Sequence, residues 1–189
     1  MLIYAVFLVL AIVTSAEVSE VVDDEGKHSC AESDWVKISR HAVCFEALGD
    51  HYGSFHNYVR GGIVAAIKLE YVSGMVNCVA AAGGKSHWGC NNDYFKTHPL
   101  AVVLTDNRNN MLFPKKEFIT YPYGVWYWLP FVHPLDKELI FTDYATPIYF
   151  PLYKEMRIWY GEDLKDAWTG AEGDNTGRVC VNVYARFKL

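Results

Sequence analysis

The clearest pattern in the chain is a strict alternation near its end. Val179, Val181, Val183, Ala185 and Phe187 fall on one face, and Cys180, Asn182, Tyr184 and Arg186 fall on the other. That is the two-residue period of a half-buried strand. A second run over residues 63–72 sets Ile63, Ala65, Ile67, Leu69 and Tyr71 against Lys68 and Glu70. Ser73-Gly74 behind it has turn chemistry, so residues 75–79 are expected to return as the second arm of a hairpin. Further short strands are predicted over 35–40, 100–105, 117–120, 125–131, 138–142, 148–150 and 156–160. The stretches 49–62 and 81–98, rich in Gly, His and Asn, read as loops. No long segment carries a 3.6-residue period. Short strands divided by Gly, Pro, Asn and Asp clusters indicate an all-β fold, a single antiparallel β-sandwich or jelly roll.

One apolar run does not belong to that pattern. Residues 2–13 are apolar apart from Tyr4, and Thr14, Ser15 and Ala16 close the run. Small residues at −3 and −1 are what signal peptidase needs, so residues 1–16 read as a signal peptide cleaved after Ala16. The run is too short to span a bilayer, which takes about 20 apolar residues. The expected product is secreted and extracellular. Residues 17–29 are acidic and polar, with Asp23, Asp24 and Glu25 in a row, and read as a loose surface segment. The domain is placed at residues 30–189.

Secretion changes the meaning of the five cysteines. In an oxidising compartment they are expected to form disulfides. The preferred pairs are Cys78 with Cys90, closing a Gly-rich loop, and Cys30 with Cys44. Cys180 is then the single thiol, either a core cysteine or the link in a disulfide-joined oligomer. No CxxC pair is present to suggest a zinc site. The net charge of −5 argues against nucleic acid, which demands a clustered basic face.

Candidate chemistry concentrates between the last two predicted strands. The segment GEDLKDAWTGAEGDNTGR, residues 161–178, carries Glu162, Asp163, Asp166, Glu172 and Asp174. Ca²⁺ takes hard oxygen ligands from carboxylates, amides and carbonyls, so Asp163, Asp166, Asp174 and Asn175 form the candidate metal set. A solvated acidic loop is the competing reading, because the spacing is not that of an EF-hand. Trp159 and Trp168 edge the loop, and with Glu162 and Arg157 they form a candidate ligand-binding set. Rings beside carboxylates are the usual make-up of a carbohydrate site. Arg157 also reads as an outward partner for an acid. Within 121–128, alternation sends Trp126 and Trp128 to one face and Tyr127 to the other, so one set is core. His51 and His56 match no catalytic spacing, and no GxSxG elbow is present.

The C-terminal pattern of Arg157 to Leu164 (RIWYGEDL), then Asp174-Asn175-Thr176-Gly177, then Cys180 to Ala185 (CVNVYA) resembles a group of secreted β-domain proteins of marine invertebrates. Gly53-Ser54-Phe55, Ile67-Lys68-Leu69 and Ser86 to Cys90 belong to the same pattern. The resemblance implies secretion and a β fold. The run from Arg157 through Tyr160-Gly161 is also similar to a late strand of galactose-binding-like jelly rolls of the discoidin and fucose-lectin type. Together these features lead to the expectation of a non-enzymatic extracellular recognition protein that binds carbohydrate or matrix, with Ca²⁺ as its only candidate cofactor. The alternatives are a structural component of matrix, mucus or mineralised tissue, and a secreted hydrolase using Glu162 and Asp166 as acid and base.

Overall fold

The computed structural model describes residues 35–80, 82–165 and 172–188. The predicted signal peptide, the acidic segment 17–29, Cys30, Asp166 and Trp168 lie outside the described residues. Among these, no helix is long and apolar enough to cross a membrane.

Two long strands organise the sheet that carries the alternating patterns. β4 (Gly62–Asn77) and β12 (Thr176–Phe187) run antiparallel along each other from Thr176↔Asn77 to Phe187↔Val64. β1 (Trp35–Lys37) and β2 (Val43–Glu46) share the outer edge of β12. β9 (Glu138–Thr142) and β10 (Ile148–Phe150) share the outer edge of β4. A second antiparallel sheet orders β3 (Gly53–His56), β11 (Glu155–Tyr160), β5 (Val102–Asp106) and β6 (Met111–Phe113). β7 (Ile119–Tyr121) and β8 (Trp126–Tyr127) form a small ribbon. The fold is the expected all-β sandwich. Its core joins Val179, Val181, Val183 and Ala185 of β12 to Ile67 and Leu69 of β4, and to Leu104, Met156 and Ile158 of the second sheet.

The hairpin expected at Ser73-Gly74 is not formed. β4 continues through Gly74, which takes a φ of +85° inside the strand. A Cβ at Gly74 would stand 2.0 Å from the Arg178 carbonyl oxygen, so glycine here serves a close backbone approach rather than a reversal. A register shift between Arg186 and Phe187 brings Phe187 opposite Val64. This bulge turns Val64 inward and leaves Ile63 exposed, the reverse of simple alternation. β3 lies inside the stretch read as a loop, and β2 and β6 were not anticipated. Trp126 and Tyr127 are both buried while Trp128 is half exposed. The positive φ of Val125 breaks the alternation there.

The cysteine pairing is half as expected. Cys78 bonds Cys90. Cys180, however, is not a single thiol: it bonds Cys44, its directly opposed cross-strand neighbour, with Cα atoms 4.0 Å apart. Cys44 is therefore not the partner of Cys30, because β2 and β12 register those two side chains against each other. Arg157 behaves as expected, with its Nε 3.0 Å from a Glu155 carboxylate oxygen.

The contrast between glycines tests this account of β4. Gly74→Ala is expected to lower the melting temperature by about 3–10 °C, from about 1–3 kcal/mol of strain. Gly83→Ala has open space around its Cβ and is expected to leave the melting temperature unchanged.

Candidate functional site

The acidic segment follows directly from β11. Tyr160 ends that strand, and α1 (Gly161–Lys165) begins at once. Gly161 is needed at this junction, since a Cβ would meet the Gly124 carbonyl oxygen at 2.4 Å. A 3-10 turn over Glu172–Asp174 leads into β12. The end of β11 and the start of β12 thus bring Glu162, Asp163, Asp174 and Asn175 around Tyr160. The phenol of Tyr160 is held well above its usual range, first by burial and then by the carboxylates of Glu162, Asp163 and Asp174. Its hydroxyl donates to the Gly89 carbonyl at 3.2 Å.

Glu162 ties the cluster together. Its carboxylate accepts from Trp126 Nε1 at 3.2 Å and from Asn175 Nδ2 at 2.5 Å. Asn175 is completely buried, and its Oδ1 has no hydrogen-bond partner among the described residues. Asp163 is only 3% exposed. Buried carboxylates and amide oxygens normally have partners, because desolvating them otherwise costs several kcal/mol. Asp163, Asp174 and Asn175 are oxygen donors of the type Ca²⁺ takes. Among the described residues, no three His, Cys, Asp or Glu side chains are grouped to hold a metal. The fourth candidate, Asp166, lies outside the described residues.

The candidate ligand-binding set divides. Glu162 belongs to the buried cluster. Trp159 is 3% exposed, with the Tyr52 ring covering it at 4.6 Å between centroids. Arg157 is taken up by Glu155, by Asn109 Oδ1 at 2.9 Å and by the face of Tyr52. Trp168 is outside the described residues. A feature that the sequence reading missed is a cleft of about 440 Å³ at the other end of β2 and β3, lined by Arg40, His41, Tyr52, His56, Tyr58 and Arg178 among others. Its residues lie far apart in the chain, and no local spacing announces it.

No family model and no curated protein matches the chain. Among solved structures it is similar to AJLec from the sea anemone Anthopleura japonica. The two share 32% sequence identity with a TM-score of 0.73, and the match covers 82% of this chain and 97% of that one.

The role given to Glu162 is measurable. Glu162→Ala removes the acceptor of two partly buried N–H groups and is expected to cost about 2–4 kcal/mol in urea unfolding. Glu162→Gln keeps one acceptor oxygen and is expected to cost less.

Proposed function

This chain belongs to the AJLec lectin family, and on that premise we propose that it is a non-enzymatic, carbohydrate-binding protein of the extracellular space. The observation that carries the reading is 32% identity over 97% of a lectin chain. Two disulfides fit an oxidising compartment.

The finer part of the proposal concerns calcium. Asp163, Asp174 and Asn175, completed by Asp166, would hold one Ca²⁺ at the junction of β11 and β12. The support is chemical. The amide oxygen of Asn175 is buried without a hydrogen-bond partner among the described residues, and it is a hard acceptor of the kind Ca²⁺ takes. Bound there, the ion would supply Lewis-acidic coordination for vicinal sugar hydroxyls. Asn175 is oriented for this by donating its Nδ2 to Glu162, which leaves Oδ1 as the free acceptor. Glu162 therefore acts as a positioning residue rather than a ligand.

Two measurements separate the coarse and fine parts. On a glycan array the protein is expected to bind a discrete set of glycans; binding to none would sink the lectin reading. Millimolar Ca²⁺ is expected to raise the melting temperature, because a ligand bound only by the native state stabilises it by RT ln(1 + [L]/Kd). An unchanged melting temperature, or the same rise in Asp163→Ala/Asp174→Ala, would remove calcium while leaving carbohydrate binding standing.

A further inference from the structure

The cleft lined by Arg40 and Arg178 plays no part in the proposal above, and its chemistry is the opposite of the acidic cluster. It lies on the seam of the sandwich, where edge strand β2 of one sheet meets edge strand β3 of the other. The two edges touch at Gly53, where a Cβ would come within 2.7 Å of the Cys44 carbonyl oxygen and the Val43 side chain. Disulfide-bonded Cys44 fixes β2 to β12, so the floor of the cleft is built on a covalently tied pair of strands.

The walls supply hydrogen-bond donors and aromatic rings, and among the described residues no carboxylate lines the cleft. Arg40 and Arg178 are exposed, and among the described residues neither has an ion-pair partner. Glu46 stands opposite Arg178 in the β2–β12 register with its carboxylate 3.1 Å from His51 Nδ1, and Glu155 pairs with Arg157. The guanidinium of Arg40 stands over the Tyr58 ring at 5.3 Å, and His56 lies 6.0 Å from the same ring. Tyr58 is half exposed. Tyr52 is wedged between Arg157 and Trp159, which makes it a fixed wall. In a chain of net charge −5, two exposed arginines lining one cleft are a local reversal of sign.

We propose that this seam is a second ligand site, for a saccharide that carries a sulfate or carboxylate group. Guanidinium groups bind such anions through paired N–H donors, more strongly than neutral groups do. The volume of about 440 Å³ is within the range of small-molecule sites, and the exposed ring of Tyr58 offers an apolar face to the C–H side of a sugar. A neutral sugar is a poorer match, because it brings no charge for the guanidinium groups and no described carboxylate lines the cleft to accept from its hydroxyls. Nucleic acid is disfavoured, because a long polyanion would extend over a surface that is negative overall.

The test is isothermal titration calorimetry with three dextran oligosaccharides of equal length, sulfated, carboxymethylated and unmodified, all in EDTA so that the acidic cluster is silent. At least one of the two anionic oligosaccharides is expected to bind and the unmodified one is not; the tighter of the two identifies the preferred group. Arg40→Ala/Arg178→Ala is expected to weaken that binding at least tenfold. Lys85→Ala/Lys116→Ala, which removes equal charge away from the cleft, is expected to change it less than twofold. Circular dichroism of both variants checks that they fold. Absence of binding by both anionic oligosaccharides overturns the proposal, and so does equal weakening in the two variants. Neither result bears on the glycan array or the calcium titration, so the lectin reading stands or falls separately.

Discussion

β4 and β12 lie side by side over nearly the full length of β12, and each remaining strand of that sheet hangs on the outer edge of one or the other. Keeping two strands of this length in contact requires the backbones to approach closely at two points, and glycine stands at both. Gly74 meets the Arg178 carbonyl, and Gly177 meets the Met75 carbonyl at 2.2 Å from its would-be Cβ. Both have positive φ. The close approach bears on what happens near the start of β12. There β12 pairs on its other edge with β2, Cys180 opposite Cys44, and Asn175 just before it reaches the carboxylate of Glu162 after the end of β11.

Where a strand is buried on one face only and runs without a bulge, alternation describes it. Val179 through Phe187 of β12 and the whole of β9 and β10 were legible for that reason. β4 was misread at Ser73-Gly74 because positive-φ glycine serves turns and close strand contacts alike, and only the partner strand distinguishes them. β2 and β3 are four residues each and sit among polar, aromatic and glycine residues. Their stability comes from pairing with β12 and β11, which no local window contains. The cysteines divide along the same line. Cys78 and Cys90 are 12 residues apart and close a local loop, whereas Cys44 and Cys180 are 136 apart and depend on sheet register.

The candidate sites were legible to the same degree as the elements that form them. Glu162, Asp163, Asp174 and Asn175 are near one another in sequence, and the junction of β11 and β12 keeps them near one another in space. Composition alone gave no reason to single out Asn175 among the acids, yet the structure buries it completely. The trio of Arg40, Tyr58 and Arg178 had no such advantage. It exists only because the edges of two sheets converge.

The acidic cluster and the β2–β3 seam show one sandwich carrying opposite chemistries. At the β11–β12 junction the protein gathers oxygen acceptors, with Asp163 and Asn175 buried. At the β2–β3 seam it offers exposed guanidinium donors, that of Arg40 standing over the ring of Tyr58. Because Arg178 and Asn175 stand three positions apart near the start of β12, the segregation cannot depend on distance. It depends on orientation: Asn175 is turned inward beneath Glu162, whereas Arg178 is exposed and faces the cleft beside β2. A single strand end, fixed by its disulfide and its two close-approach glycines, therefore sets the geometry of both.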